Sequence, residues 1–511
     1  MSALVWSALV RAVPAPAAVL HQLWADRATL TANGAVTLRE AAVGYLWGNG
    51  AALVMGGAFV RVPWIERSLL RIAVAGYCLP LVVVGPILVV LFSGDGAKVA
   101  LAALSVFFTT LLCALQGLKA APPASVDVVR SLGGGSQTIF WRVRVPGALP
   151  AVCAGLRIGA PTALLGAVIG EYFGANDGLG AALVQAQSAY EVARTWAIAL
   201  ALAVLAGVLY GALALATAPA ARWSMDDAVA VGLPADPAAG ERGPILRSSG
   251  FLLWSAAWGI GLWYLAIFAF HLDHYFVKTP LDVARYFFGP GGGANRTELA
   301  GALGTTLVDT GVGLAAGMGL AIAAAALLAL RPGVEAVVMP AVVFLRSIPI
   351  VAMTPLIALV FGRGLLAVTV VVSLVVFFPT LVIVRSGLQA APRAAGDLVL
   401  AMGGNASLVM RKVRAGYALP WLFTAARNAV PAALGGAILA EWLATGAGAG
   451  NLLVVAASES RFDTLWAGSV VLVLLSGGVY AGLGMVERAA QGGGRPSYRR
   501  AALLSAPGRS G

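Results

Sequence analysis

Nearly continuous apolar blocks, each long enough to cross a lipid bilayer, run along most of this chain. A helix needs about 20 predominantly apolar residues to span the hydrocarbon core. About eleven such blocks are present, at 41–60, 72–92, 99–117, 155–172, 196–217, 251–271, 303–330, 337–361, 366–385, 423–442 and 466–486. They are rich in Ala and Leu and do not alternate, which indicates helices rather than the strands of a membrane barrel. The chain is therefore predicted to be an all-α, polytopic membrane protein.

Basic residues gather in alternate loops between these blocks. Only 11% of the 511 residues are charged, against about a quarter in a soluble domain, yet the net charge is +12. The basic residues follow the first, third and fifth blocks and fill the tail: Arg61, Arg67, Arg71, Lys119, Arg130, Arg142, Arg144, Arg222, Arg242, Arg247, Arg488, Arg495, Arg499 and Arg500. Such loops face the cytoplasm in membrane proteins. The distribution of the basic residues therefore predicts how the chain is oriented in the lipid bilayer. We expect no nucleic-acid partner.

The second half of the chain repeats the first. At a shift of 270 residues, identical residues pair as Asp127/Asp397, Gly133/Gly403, Val143/Val413, Pro150/Pro420, Arg157/Arg427, Pro161/Pro431, Gly166/Gly436, Glu171/Glu441, Gly178/Gly448, Gly180/Gly450 and Trp196/Trp466. Upstream the shift is 269, as in Pro86 and Pro355, so the second half has one inserted residue between 361 and 378. This register indicates a tandem duplication. Both copies of the arginine-bearing loop are expected in the cytoplasm, so the repeats are parallel.

The duplication predicts two membrane units joined by a polar segment. Residues 1–217 would form a first unit of five helices, and residues 251–488 a second unit of six. The leading span 251–271 has no counterpart in the first unit, which places the N-terminus outside the cytoplasm. The segment 218–250, rich in Pro, Ala, Gly and charge, is expected to be a cytoplasmic linker, and 489–511 a cytoplasmic tail.

One polar stretch stands between two apolar blocks in each half. It reads DVVRSLGGGSQTIFWRVRVPGALP at 127–150 and DLVLAMGGNASLVMRKVRAGYALP at 397–420. In the first, the prolines, Ser and Asp at 122–127 predict a helix start, and Gly133 ends that helix.

A second short helix is predicted to follow in the first of these stretches. Its apolar residues are Ile139, Phe140 and Val143, and Pro146 and Pro150 are expected to end it. Two short amphipathic helices at an angle make a knob that suits docking into a soluble partner through apolar contacts and a basic rim. The alternative is a plain solvated loop, which the second copy disfavours.

The spacing in these two stretches resembles the E-A-A-x3-G-x9-I-x-L-P signature of permeases from binding-protein-dependent ABC importers. In that family the stretch with this signature docks into the ATP-binding subunit, so we call 127–150 and 397–420 the first and second coupling loops. Signature positions are held by Asp127, Val128, Val129, Gly133, Val143, Val145 and Pro146, and again by Asp397, Gly403 and Val413. Asp replaces Glu in both copies, and Ala415-Gly416 replaces Leu-Pro in the second. Segments 148–180 and 346–362 resemble the nitrate/sulfonate/taurine-type permeases, so the resemblance extends over nearly the whole chain apart from the linker and tail.

The resemblance implies two permease units of the type I ABC importer fold, fused in one chain in the bacterial plasma (inner) membrane. It implies that the coupling loops, through Asp127, Gly133, Phe140, Val143, Pro146, Asp397, Gly403 and Val413, dock two copies of an ABC ATP-binding subunit. An extracytoplasmic solute-binding protein would deliver a small anion or organic solute such as nitrate, a sulfonate or taurine. No G-x-x-x-x-G-K-[ST] motif occurs, so ATP hydrolysis is expected on the partner, and this chain is not expected to be an enzyme or to need a cofactor or metal.

Ionisable residues inside apolar blocks are candidates for the substrate path, because burying a charge in a membrane is costly. Glu171 and Glu441 are paired by the repeat near the outer ends of their helices, and Arg346 is unpaired. Each Glu is a candidate gate or substrate contact, with structural anchoring of the outer loop as the alternative. Arg346 is a candidate contact for an anionic substrate, with snorkelling to the cytoplasmic face as the alternative.

Two other functions would also suit a duplicated bundle of membrane helices. A secondary transporter driven by an ion gradient would need ionisable residues at the membrane midplane, where Asp309 is the main candidate, and no docking knob. A scaffold protein without a transport role would not need duplicated coupling loops. The sequence therefore favours the ATP-driven importer.

Overall fold

The computed structural model describes residues 14–62, 64–66, 69–70, 76, 81–92, 94–221, 245–269, 271–331, 333–335, 337–339, 342 and 350–492. Within these ranges the first half contains α1 Pro16–Ala25, α2 Arg27–Arg61, α3 Leu81–Leu91, α4 Gly96–Lys119, α5 Pro123–Ser131, α6 Ser136–Ile139, a π-helical turn Phe140–Arg144, α7 Val145–Tyr172, α8 Leu179–Ser188, α9 Val192–Ala216 and α10 Ala218–Ala221.

The second half repeats this order of helices. It contains α11 Ile245–Ala269, α12 Pro280–Phe288, α13 Gly292–Leu330, α14 Ile350–Phe361, α15 Leu365–Gln389, α16 Arg393–Ala401, α17 Ala406–Val409, π-helical turns Met410–Arg414 and Glu441–Thr445, α18 Ala415–Ala440, α19 Gly448–Ser458 and α20 Phe462–Gly492. Helix α11 has no counterpart in the described part of the first half, whereas α12 to α20 match α1 to α9.

Eight described helices are long and apolar enough to cross a membrane: Arg27–Arg61, Gly96–Lys119, Ser136–Tyr172, Val192–Ala216, Gly292–Leu330, Leu365–Gln389, Ala406–Thr445 and Phe462–Glu487. They match eight of the predicted blocks. The other three blocks coincide with α3, α11 and α14, in segments that are only partly described. The fold is thus that of an all-helical, polytopic membrane protein with two parallel repeats.

Some helices differ from the predicted blocks in their limits. Helix α2 begins at Arg27 rather than near 41, and its 35 residues measure about 52 Å at about 1.5 Å per residue. The expectation that Pro146 and Pro150 end a helix was wrong, because α7 runs through both. Pro146 lies in the first turn of α7, where its missing N–H is not needed. Pro150 costs one backbone hydrogen bond in a long, packed helix.

Glycines let the helices of each half approach closely. Gly44 and Gly48 of α2 lie against α4, where an added Cβ at Gly44 would be 2.7 Å from the carbonyl oxygen of Val99. Gly313 and Gly317 of α13 lie in the same way against α15, with Ser373 Cα 2.9 Å from a Cβ at Gly317. Such spacing of small residues is the usual packing device between membrane helices. Helices α4 and α15 therefore stand at the centre of their halves.

The two halves meet along one continuous core. Helix α3 contacts α18 and α19 of the second half, and α14 contacts α9 of the first. Near the outer end, the rings of Phe173 and Trp442 are stacked with centroids 4.7 Å apart. Gly85 of α3 leaves room for the Phe173 ring, which a side chain at that position would strike.

We expect the glycine contacts to be necessary for stability. Gly48→Ala and Gly317→Ala should each reduce the free energy of unfolding by about 1–3 kcal/mol, because the added methyl overpacks a helix contact. Gly50→Ala and Gly319→Ala are matched controls on the same helices, since an added Cβ meets nothing within 4 Å there. Thermal denaturation of the detergent-purified chain measures the difference. Equal melting temperatures for Gly48→Ala and Gly50→Ala would contradict the packing argument.

Candidate functional site

A glycine in the left-handed conformation makes the bend in each coupling loop. Gly133 has φ +78° and Gly403 has φ +83°. After α5, Gly133 N donates to Arg130 O at 3.0 Å and Gly134 N to Val129 O at 2.8 Å. The same two bonds recur after α16, where Gly403 N and Gly404 N donate to Leu400 O and Val399 O. This pair of bonds is the Schellman motif, and its left-handed residue is nearly always glycine.

Phe140 lies inside the protein and ties the first coupling loop to α2. Its side chain is 7% exposed and packs with Leu118 and Ala148. The guanidinium carbon of Arg61, at the end of α2, is 4.1 Å from the centre of the Phe140 ring. In the second loop Met410 takes the equivalent buried place. A residue buried in this way supports the knob and does not present an apolar surface to a partner.

The exposed apolar side chains of the loops lie elsewhere. Val128 and Leu132 are 57% and 81% exposed, and their repeat equivalents Leu398 and Met402 are 62% and 80% exposed. The members of each pair are four residues apart, one in the helix and one at its C-cap, so they lie on the same side of α5 or α16. From the sequence, Val128 was noted only as a signature position, and none of the four was among the predicted docking residues. For Leu132 and Met402, the available signal was their place directly before the glycine that ends the helix. The side chain at that place points away from the protein.

The other predicted loop residues fall into two groups. Asp127 and Asp397 are exposed, and Asp127 is 3.4 Å from Arg130 in a surface ion pair. Val143, Pro146 and Val413 are half-buried where the π-helical turns lead into α7 and α18. Each turn runs without a break into a membrane-spanning helix, so the knob and the helix are mechanically continuous.

The paired glutamates lie buried at the outer ends of α7 and α18. Glu171 is 1% exposed, and its Oε2 accepts a hydrogen bond of 2.5 Å from Gly180 N in the first turn of α8. Thr37 of α2 donates to Glu171 Oε1 at 2.7 Å and accepts from Leu179 N at 2.8 Å. A carboxylate at a helix N-terminus is stabilised by the unpaired N–H groups and the helix dipole.

Glu441 has the same arrangement in the second half. It is fully buried and its Oε2 accepts a hydrogen bond of 2.7 Å from Gly450 N, in the first turn of α19. Thr306 accepts from Ala449 N at 2.9 Å. No side chain fits at Gly178 or Gly448, because a Cβ there would strike the carboxylate of Glu171 or Glu441. The geometry favours the anchoring alternative, and a gating or substrate-contact role for the pair stays a prediction.

The two halves differ beside these glutamates. In the first half Glu40, 1% exposed, forms a buried ion pair of 2.7 Å with Lys98. Its repeat equivalent is Asp309, which is also buried. The position in the second half that is equivalent to Lys98 lies in the apolar stretch at the start of α15. Asp309 therefore has no equivalent ammonium group. Arg346, the remaining candidate for the substrate path, lies outside the described residues.

The anchoring and gating alternatives make different predictions. As anchors, Glu171→Ala and Glu441→Ala should each lower the free energy of unfolding by at least about 1–3 kcal/mol, since buried N–H groups lose their acceptor. Glu191→Ala, which removes an exposed pair with Arg194, is the control and should change it by less than about 0.5 kcal/mol. Thermal denaturation gives the comparison. A Glu171→Ala protein that keeps its stability but no longer transports would support the gate instead.

Comparison with known proteins places this geometry in a family. The chain matches the family described as "binding-protein-dependent transport system inner membrane component" twice, over residues 48–218 and 316–490. No solved structure matches the chain significantly.

Several curated relatives share part of the sequence. A probable ABC transporter permease protein of Haemophilus influenzae is 31% identical over 198 residues, which are 39% of this chain and 81% of the relative. The riboflavin transport system permease protein RibX of Chloroflexus aurantiacus is 28% identical over 207 residues, 39% of this chain and 77% of the relative. The taurine transport system permease protein TauC of Escherichia coli is 32% identical over 126 residues, 24% of this chain and 45% of the relative.

Two matches to the family, one in each half, confirm that two permease units are joined in this polypeptide. The family and the apolar helices together place it in the inner membrane as a transport component rather than an enzyme. The chain belongs to the family of binding-protein-dependent transport system inner membrane components, the permeases of ABC transporters.

Proposed function

We propose that this chain supplies both membrane halves of an ATP-driven importer for a small anion or organic solute. Two copies of a separate ATP-binding subunit dock on its two coupling loops, and an extracytoplasmic solute-binding protein delivers the solute. The family implies partners of both kinds. The substrate class is supported by relatives named for taurine and aliphatic sulfonates, although other relatives are named for formylaminopyrimidine and riboflavin.

One observation carries this proposal. Both halves present a bent knob with the same left-handed glycine and the same exposed apolar pair, Val128 and Leu132 or Leu398 and Met402. An exposed apolar patch that recurs at the same place in both halves is typical of a surface that binds a partner. Parallel repeats put both knobs on the cytoplasmic side, where an ATP-binding dimer would meet them symmetrically.

The mechanism follows from the continuity of each knob with one long helix. When the ATP-binding subunits close around nucleotide, they draw the two coupling loops together. Helices α7 and α18 carry that movement to the outer ends, because the π-helical turns join them to the loops without an intervening hinge. The halves then rock as rigid bodies between inward-open and outward-open states.

Charging the exposed apolar pair should abolish docking. We expect Leu132→Glu with Met402→Glu to remove the ATP-binding subunit from the purified complex, because truncation or charging of a central interface residue costs at least about 2 kcal/mol. The control is Leu132→Met with Met402→Leu, which exchanges the two side chains and keeps an apolar surface. Mass measurement of the eluted complex should give two ATP-binding subunits per chain for the wild type and the control. Retention of both subunits by the glutamate variant would refute docking at these residues.

The bend itself should also be required for coupling. Gly133→Val with Gly403→Val forces a β-branched residue into the left-handed region, which costs about 1–2 kcal/mol per site, and should reduce ATPase stimulation by substrate. Gly147→Val with Gly416→Val is the control, since both glycines lie in helices with no atom near an added Cβ. Equal stimulation in the two variants would show that the shape of the bend is unimportant.

A further inference from the structure

A cavity of about 410 Å³ lies at the outer end of the interface between the halves. The first half contributes residues from the end of α7, from α8 and from the start of α9. The second half contributes the end of α14, the loop after it and the π-helical turn at Glu441–Thr445. This volume suits a small organic solute, since ligand sites span about 300–1,000 Å³. Neither Glu171 nor Glu441 lines it.

The walls of the cavity combine aromatic and neutral polar groups. The rings of Tyr172 and Trp442 face each other edge to face, with centroids 6.0 Å apart. Gln187, Ser188 and Thr195 supply amide and hydroxyl groups from the first half. An aromatic wall with a few polar groups is typical of sites for small organic molecules.

Among the described residues that line the cavity, Arg363 is the one charged side chain. It is exposed, in the short loop between α14 and α15. No carboxylate lies within ion-pair distance of it in the part of the chain that the structure describes. Glu191, which lies between the lining residues Tyr190 and Val192 in the chain, is instead 3.1 Å from Arg194. The cavity therefore offers one positive charge that no described side chain neutralises.

The first half carries no such charge at the equivalent loop. There Asp95 precedes α4 and binds Arg39 at 2.6 Å and Lys98 at 2.8 Å. The hydrogen bond from Lys98 lowers the pKa of Asp95 below its usual value. Asp95 is therefore ionised, and Arg39 and Lys98 balance its negative charge. The contrast shows that the unpaired cation belongs to the second half alone.

An aromatic residue that caps the end of α8 lines the cavity. Tyr190 has φ +57° although it is not glycine, and the residue is 73% exposed. The repeat puts Ser460 at the same position with φ +59°. Tyr190 N and Glu191 N donate to Gln187 O and Ala186 O, the same pair of bonds that ends α5, so the left-handed residue here is a helix cap. Only the first half thus places an aromatic ring at this turn, beside the cavity.

We propose that this cavity is the entry end of the substrate path, and that Arg363 binds the sulfonate or carboxylate group of a small organic anion. The body of the anion lies against Tyr172 and Trp442. This inference rests on the proposed function, because it names the substrate class of the same importer. A guanidinium can give two parallel hydrogen bonds to either acid group, which a neutral amide cannot match.

The test compares acids with their neutral amides on the full-length chain in lipid nanodiscs. The probes are benzenesulfonate and benzoate, against benzenesulfonamide and benzamide, with binding followed by ligand-observed NMR and empty nanodiscs subtracted. We expect both acids to bind at least tenfold more tightly than the amides. Arg363→Gln should remove that preference, and Arg363→Lys should retain part of it. Arg285→Gln, at an exposed arginine of α12 outside the lining, should bind as the wild type does.

Each result counts for or against the inference. Binding of acids and amides with equal affinity, unchanged acid binding in Arg363→Gln, or no acid binding up to about 10 mM would overturn it. Co-elution of the ATP-binding subunit is measured on the same preparations. If the subunit co-elutes with the wild type and with Arg363→Gln while the acid preference fails, the importer stands and only the anion site is refuted. If it never co-elutes, the proposed function fails independently of the anion result.

Discussion

Close helix packing through small residues is the contact on which this structure depends. Inside a bilayer, apolar side chains gain little by leaving lipid for protein, so helices associate through tight contact and buried hydrogen bonds. Gly44 and Gly48 bring α2 against α4, and Gly313 and Gly317 bring α13 against α15. These contacts fix the central helix of each half. Helices α7 and α18, which carry the coupling loops, pack on that central helix in turn.

The same framework connects the two sides of the membrane. Helix α7 follows directly from the first π-helical turn at Phe140 and ends at Tyr172, where Glu171 holds α8 and Tyr172 borders the cavity. A displacement of the cytoplasmic loop therefore acts on the outer end through one continuous helix. The stack of Phe173 on Trp442 lies between the halves at that end, so relative movement of the halves must alter this contact.

Much of the fold could be predicted from the sequence, because apolar length and an internal repeat are direct physical signals. Gly133 was predicted to end a helix, and the repeat gave Gly403 the same place; both bends have φ above zero, which favours glycine. The helix limits were less predictable. Helix α2 extends through a polar segment because its contacts, and not its hydropathy, decide where it begins.

The details of the candidate site were harder to infer. Phe140 was expected among the docking residues, but the partner of its ring, Arg61, lies far away in sequence. The bonds between Glu171, Thr37 and the start of α8 depend on three separate segments. Arg363 attracts little notice in the sequence because it lies between two blocks, and only the packing of α14 against the first half brings it to the cavity.

Joining the halves in one polypeptide has a consequence for the chemistry of the space between them. In a symmetric homodimer every residue near the axis occurs twice, so a new cation on one side meets an identical cation on the other. Here the loop with Arg363 corresponds to a loop with Asp95, and Tyr190 corresponds to Ser460. Covalent fusion frees the two faces to diverge. The cavity can therefore have two unlike ends, a shape suited to a solute that is itself charged at one end only.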